Sequence, residues 1–385
     1  MRGSCVCGMR NRDIHWAIVA LLLSTWMQAQ NISPSEAIAL EQQGKLAEAE
    51  HTWRVIIEHD PKDAAALASL GVVLAKEKKY EEAASFYKKA ILLNPHLPGI
   101  QLNLGLAEFK QGDFNSAIAP LSAALAADSN NMQARTLLAL SYYGAKRFAD
   151  ASTYLESAAK LEPANTELRQ VLAQSCLFAK KYSCALEEFR QILQQNPDSP
   201  AAHVLAGEAL DGLGRTPEAV SEFQTAAKIA PRQPDVNFGL GYLHWKLRQY
   251  DEAKKDFETE LSLDPSHAQA LAYLGDIEMK RESSEKALEL LNKAIQLRSD
   301  IRIAYLDAGV ILTQQKQYQD ALVALQHAEK LDPTQPDVHL RLGRLYQDLG
   351  NRAESQKQFT KLRELHNKAD EDITSKMSGS PSQQR

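Results

Sequence analysis

The sequence has 385 residues, and its 44 Lys and Arg against 49 Asp and Glu give a formal net charge of -5. This near balance excludes bulk charge as the means of binding nucleic acid or an anionic membrane surface. A chain of this length ordinarily forms two or three globular domains, but internal repetition overrides that expectation where it is present. Local residue patterns must therefore indicate the fold and the partners.

The N-terminal residues have the order of a secretory signal peptide. Arginines precede an apolar run from Trp16 to Met27, and the small residue Ala29 stands where cleavage is expected. The run is shorter than the ~20 residues that a membrane-spanning helix needs. We therefore predict that residues 1–29 are a signal peptide and that the mature protein is secreted or periplasmic. A retained membrane anchor and a cytoplasmic chain are the alternatives.

Prolines end successive helical segments at a fixed spacing, and each pair of them differs by a multiple of 34 positions. The two vacant positions of this series, Ser129 and Ser299, lie among other residues that stop helices. The spacing predicts 34-residue units without an insertion. The prolines are Pro61, Pro95, Pro163, Pro197, Pro231, Pro265 and Pro333.

At three further positions of the unit, the side chain has a similar size in every repeat, and we call each such set of equivalent positions a column. Glycine within a helix costs about 1 kcal/mol relative to alanine, so a glycine-rich column indicates a close crossing of two antiparallel helices. We expect a column of large residues to fill the space between neighbouring hairpins. The small column contains Ala37, Gly71, Gly105, Ala139, Ala173, Gly207, Gly241, Gly275, Gly309 and Gly343. The large column contains Trp53, Tyr87, Leu121, Leu155, Phe189, Phe223, Phe257, Leu291, Leu325 and Phe359. The third column is alanine at Ala49, Ala83, Ala117, Ala151, Ala185, Ala219, Ala253, Ala287 and Ala321, with Ser355 in the tenth position.

The repeated unit resembles the tetratricopeptide repeat. It shares with that family the 34-residue period, a Leu-Gly pair, an aromatic residue such as Tyr80 or Phe148, the three columns and the closing proline. The resemblance covers residues 30–369. It implies an all-α fold, an α-solenoid of about ten helix-turn-helix tetratricopeptide repeats forming a right-handed superhelix, with the first helix of each unit lining a concave groove. Polar residues 370–385 are expected to form a disordered tail. The units start near residues 30, 64, 98, 132, 166, 200, 234, 268, 302 and 336.

The sequence lacks the motifs of catalysis and metal binding. No P-loop, HExxH, CxxC or GxSxG pattern occurs, and the histidines are scattered rather than placed at a ligating spacing. We therefore predict that the protein is not an enzyme and has no catalytic residue, no cofactor and no metal site.

Cys176 and Cys184 are the only cysteines that follow the predicted signal peptide. They lie at nearly equal distances from the turn of one predicted hairpin, so in an oxidising compartment they could form a disulfide across it. Two unrelated thiols are the alternative.

Large apolar residues mark the predicted groove-facing side of the first helices. The columns that stack the repeats are already filled, so these extra residues indicate an exposed trough for a partner. Packing against the neighbouring repeat is the alternative. The candidates for the partner-binding groove are Phe109, Tyr143, Phe178, Phe238, Tyr242 and Trp245.

These patterns predict a non-catalytic scaffold that holds a protein or peptide segment in its groove outside the cytoplasm. One alternative is a membrane-tethered structural assembly subunit that acts through a basic edge, with Lys180 and Lys181, and an acidic edge, with Asp264. Another is the substrate-recognition arm of an enzyme complex whose catalytic site lies on another chain. We expect no nucleic acid and no small-molecule substrate as partner, and membrane contact only if the N-terminal segment is retained.

Overall fold

The computed structural model describes residues 33–378, and within them the chain forms twenty α-helices and no strand. This confirms the predicted all-α fold. The predicted signal peptide, residues 1–29, lies outside the described residues. Within the described range, no helix combines the length and the hydropathy that crossing a membrane requires.

The chain divides between Ala179 and Lys180 into two compact units. Odd-numbered helices are the first helices of the predicted repeats, and even-numbered helices are the second. The first unit contains α1 (Pro34–Gln42), α2 (Leu46–His59), α3 (Ala64–Lys76), α4 (Tyr80–Leu93), α5 (Ile100–Gln111), α6 (Phe114–Ala127), α7 (Met132–Gly144), α8 (Phe148–Leu161) and α9 (Thr166–Phe178). The second unit contains α10 (Tyr182–Gln195), α11 (Pro200–Gly212), α12 (Thr216–Ile229), α13 (Val236–Lys246), α14 (Tyr250–Leu263), α15 (Ala268–Lys280), α16 (Ser284–Leu297), α17 (Arg302–Gln314), α18 (Tyr318–Leu331), α19 (Pro336–Asp348) and α20 (Arg352–Ser378).

Several first helices begin at a polar side chain that binds their free backbone N–H groups. Asp63 accepts hydrogen bonds from the N–H groups of Ala65 and Ala66 at 2.9 and 3.0 Å. Asn131 caps α7 in the same way, through the N–H of Ala134 at 2.8 Å. These bonds satisfy donors that the first turn of a helix leaves free, so the repeats begin at defined residues.

The turn inside each hairpin contains one residue in the left-handed backbone region. At Lys146 the φ angle is 59°, and the N–H of Arg147 donates to the carbonyl of Tyr142 at 2.8 Å, which closes the end of α7. A residue other than glycine pays about 1–2 kcal/mol for this conformation. These positions recur every 34 residues, and they are Gly44, Lys78, Gly112, Lys146, Lys180, Gly214, Arg248, Glu282, Lys316 and Gly350.

The small column lies against the large column of the same hairpin. A Cβ atom added at Gly71 would lie 2.6 Å from the ring of the buried Tyr87. The large side chains thus occupy the helix crossing within a hairpin, which the sequence analysis did not foresee. The predicted role between hairpins is confirmed at Phe223, because a Cβ added at Gly239 of the next hairpin would lie 2.3 Å from its ring.

The alanine column is completely buried in both units. Ser355 takes the tenth position, and its hydroxyl donates a 2.9 Å hydrogen bond to the carbonyl of Gly343. The polar atom is therefore satisfied although the side chain is buried.

The last helix, α20, continues to Ser378, past Asp370, where the tail was expected to begin. Residues 370–378 contain neither Gly nor Pro, so nothing in this segment ends the helix. Residues 379–385 of the predicted tail lie outside the described residues.

Candidate partner-binding site

Three of the predicted groove residues lie in the first unit, where they pack among the repeats. Phe109 on α5 meets Phe114 on α6 edge-on, with ring centroids 5.5 Å apart. Phe148 on α8 contacts the rings of Tyr143 at 5.6 Å and Phe178 at 4.8 Å. Phe178 nevertheless keeps half of its surface exposed. These contacts favour the packing alternative for Phe109 and Tyr143.

The other three predicted groove residues lie together on α13 of the second unit, around Tyr273 of α15. The ring centroids of Phe238, Tyr242 and Trp245 are 6.1, 5.5 and 5.0 Å from that of Tyr273. Burial raises the pKa of Tyr273 to about 12. We call these four residues the aromatic cluster.

Tyr273 is a member of the cluster that sequence analysis missed. The position 34 residues earlier is Gly239, so no aromatic column exists at this point of the unit. The sequence contained one signal for Tyr273: this position of the unit is glycine in one repeat, at Gly239, and tyrosine in the next. Such a change affects the contacts of a single repeat.

A buried polar chain lies beside the aromatic cluster. The indole N–H of Trp245 donates to Oδ2 of Asp276 on α15 at 2.6 Å, and the ammonium of Lys280 binds the other carboxylate oxygen. Asp307 of α17 lies against Asp276, and its own Oδ2 has no hydrogen-bond partner among the described residues. Burial and the neighbouring Asp276 charge raise the pKa of Asp307 well above its ordinary value.

A cavity of about 470 Å³ opens in the second unit between α11 and α13. Its apolar surface includes Val204, Phe223 and Leu243, and Phe238 and Tyr242 of the aromatic cluster also line it. A volume of this size lies within the range of ligand-binding pockets in proteins. Two predicted groove residues therefore border a cavity, whereas Trp245 packs behind it.

Three carboxylates line the same cavity: Glu208, Asp211 and Asp235. Asp211 accepts hydrogen bonds from Lys246 at 2.6 Å and from Thr216 at 2.9 Å. Glu208 is exposed to the cavity and has no hydrogen bond or ion pair with a described residue. The surrounding walls desolvate its carboxyl and raise its pKa, because they disfavour the charged form.

Asp235, Glu260 and His267 lie close enough together to hold a metal ion. The Glu260 carboxylate accepts the backbone N–H groups of Asp235 and Phe238, both at 3.1 Å, and so caps α13. His267 accepts the N–H of Ala270 at Nδ1, which places its hydrogen on Nε2, 2.9 Å from Asp235. Helix capping accounts for Glu260 and His267, and the bond to His267 accounts for Asp235, so the three side chains give no independent reason to infer a metal.

The two cysteines lie on opposite sides of the division between the units. Cys176 is buried on α9, and Cys184 is partly buried on α10. Their disulfide stays a prediction, which mass spectrometry of non-reduced peptides from the protein in its native source would test.

Hairpins of constant length, repeated through both units, define a helical repeat protein. Family profiles described as tetratricopeptide repeat or TPR repeat match three quarters of the sequence, and the chain belongs to this family. The family membership supports a role as a protein-interaction scaffold. The matched segments are residues 35–98, 74–140, 177–240, 238–301, 309–350 and 336–365.

Several solved structures are similar to the chain at low sequence identity. The crystal structure of the APC/C hetero-tetramer Cut9-Hcn1 has 13% identity and a TM-score of 0.52, over 86% of this chain and 79% of that chain. Yeast Tom70 has 15% identity and a TM-score of 0.43, over 89% of this chain and 93% of its own. PilF of Pseudomonas aeruginosa has 18% identity and a TM-score of 0.48, over 52% and 92%. Identities this low concern the fold alone, and no curated protein matches the chain.

Proposed function

We propose that the protein is a non-catalytic scaffold that binds a segment of a partner polypeptide at the cavity between α11 and α13. The observation that carries this proposal is the cavity of about 470 Å³, which combines apolar walls with three carboxylates. Pockets that combine an apolar lining with a few converging polar groups are the usual form of a binding site. The first helices of consecutive repeats supply both walls, as expected for a repeat array that binds along its surface.

The charged edges offer weaker support for a partner site. Lys76 binds Glu41 at 2.7 Å, and Lys79 binds Glu50 at 2.8 Å, so protein carboxylates already neutralise much of the charge of these turn lysines. Exposed ion pairs of this kind contribute little to binding and are screened by salt. The groove-facing cavity is therefore preferred over the edges as the place where a partner binds.

The proposal includes a location outside the cytoplasm. Its support is the sequence of residues 1–29, with basic residues, a short apolar run and the small Ala29. Sequencing of the mature N-terminus should give a start at or near Gln30. Recovery of a chain that retains Met1 would contradict export with cleavage.

Photo-crosslinking in the native source tests the binding site itself. A benzophenone amino acid at Gln269, which lines the cavity, should become covalently joined to a partner polypeptide. The matched control places the same group at Val323 of α18, whose side chain is 67% exposed but does not line the cavity. Partner capture from Val323 alone, or from neither position, would contradict the proposed function.

A further inference from the structure

We propose that the cavity between α11 and α13 binds the side chain of a lysine or arginine in the partner polypeptide. This inference rests on the proposed function, because it specifies the chemistry of the segment that is bound. Its first basis is the charge of the walls. Three carboxylates line the cavity, and no described residue of the lining is Lys or Arg. Lys246, outside the lining, pairs with Asp211, which leaves Glu208 without a cation in the described part of the chain. A cation on the partner complements that charge.

Glu208 is the carboxylate that such a cation would neutralise. Elsewhere in the second unit, the buried acid Glu278 has its own cations, Lys254 at 2.7 Å and Lys286 at 3.1 Å. Glu208 lines the cavity but remains exposed, and it has no counterpart of these lysines among the described residues. A carboxylate that lines a cavity and lacks a cation can form a charge-assisted hydrogen bond with an ammonium or guanidinium group that enters the cavity.

The apolar walls fit the methylene part of a lysine or arginine side chain. Val204, Phe223 and Leu243 supply apolar surface, and Tyr242 supplies an aromatic ring. The ammonium of Lys246 already lies 5.8 Å from the centroid of the Tyr242 ring, so this ring takes part in cation–π contact. A side chain with an apolar stem and a cationic end therefore matches both parts of the cavity.

The same lining argues against a bare metal ion as the occupant. Asp211 is bound by Lys246 and Thr216, and Asp235 is bound by His267. Glu208 alone offers a carboxylate without a protein donor. One carboxylate is enough for an ion pair with a side chain, whereas metal ions such as Ca²⁺ take six or more oxygen ligands.

Synthetic peptide pools test the inference on the purified full chain. The probes are eight-residue peptides with randomised flanks and a central residue fixed as Arg, Lys, citrulline or Glu. We expect the Arg and Lys pools to bind about tenfold more tightly than the citrulline pool, which has the shape of arginine without its charge. Raising the ionic strength should reduce this preference.

Two variants locate the recognition. Glu208→Gln should reduce the preference for the cationic pools to less than about twofold while peptide binding itself persists. Glu285→Gln on α16 removes an equal charge from an exposed position that does not line the cavity, and it should keep the full preference. Circular dichroism of both variants checks that the helices remain folded.

In the binding assays, three outcomes would overturn the inference: equal binding of the Arg, citrulline and Glu pools, full preference in Glu208→Gln, or competition by free cadaverine at the concentration of the Lys pool. The last outcome would make the occupant a free amine. Capture of all pools at a benzophenone on Gln269, without regard to the central residue, would refute the cation assignment and leave the proposed function in place. No capture of any pool at Gln269 would refute both.

Discussion

The indole N–H of Trp245 on α13 donates a 2.6 Å hydrogen bond to Oδ2 of Asp276 on α15. This bond joins the first helices of two consecutive repeats. Asp276 is only 2% exposed, so water cannot replace the indole as donor. Trp245 therefore contributes to the packing of the second unit as well as to the aromatic cluster.

Trp245→Phe should lower the free energy of unfolding by about 1–3 kcal/mol, because it leaves Oδ2 of the buried Asp276 without its donor. Urea unfolding followed by circular dichroism measures the change. Tyr242→Phe is the control, since it keeps the ring of the neighbouring aromatic residue and should shift stability by less than about 0.5 kcal/mol. Equal stability of the Trp245→Phe and native proteins would show that the hydrogen bond does not stabilise the unit.

Two substitutions at equivalent left-handed turn positions should change stability in opposite directions. Lys146→Gly should raise the free energy of unfolding by about 1 kcal/mol, because glycine adopts a φ of 59° without the strain that a side chain causes. Gly112→Ala, one repeat earlier, should lower it by about the same amount. The added Cβ at Gly112 meets no atom within 4 Å, so backbone strain alone is measured. Thermal melts that move both variants in the same direction would contradict this account.

The helix crossing in the second repeat gives a prediction about packing. Gly71→Ala should cost about 1–3 kcal/mol, because its Cβ would lie 2.6 Å from the ring of the buried Tyr87. Tyr87→Leu in the same chain should recover part of the loss, since it removes the atoms that clash. A double variant whose loss equals the sum of the two single losses would show that the residues do not interact.

The sequence predicted the helical repeats well because their residues recur in fixed columns. Every predicted member of the alanine column is fully buried, and the 34-residue period recurs in the left-handed turn positions. Prediction from residue columns succeeds where every repeat makes the same contact between its two helices. It then gives the repeat count and the helix order without long-range information.

Residue columns were less informative about the candidate site, since that site depends on residues that differ from one repeat to the next. Phe109 was predicted to be surplus to packing, and the partly buried side chain makes an edge-on contact with Phe114, five residues later across the turn. Tyr273 and Asp276 follow no column, because the residues 34 positions earlier are Gly239 and Tyr242. Glu208 has the sequence pattern of an ordinary exposed acid. Only the cavity around it distinguishes it from the other charged residues.

Asp307 provides a prediction about pH. Asp276 and Lys280 on α15 and Arg302 on α17 face it, and burial together with the Asp276 charge raises its pKa well above the ordinary value. As pH rises above about 4, the unfolded chain loses this proton while the folded protein holds it, so unfolding becomes more favourable. The stability that the protonated group contributes is complete below the unfolded pKa and is lost as pH rises to the folded pKa.

Asp307→Asn removes this dependence, because an amide stays neutral and its NH₂ group can still donate to Asp276. The variant should gain stability relative to the native protein as pH rises, by on the order of 1 kcal/mol or more at neutral pH, with the smallest difference near pH 4. Urea unfolding at pH 4, 6 and 8 measures this trend. Asp320→Asn, at an exposed position of α18, is the control and should show a nearly constant difference. If Asp307→Asn instead loses stability relative to the native protein as pH rises, Asp307 is ionised in the folded protein and its pKa is not raised.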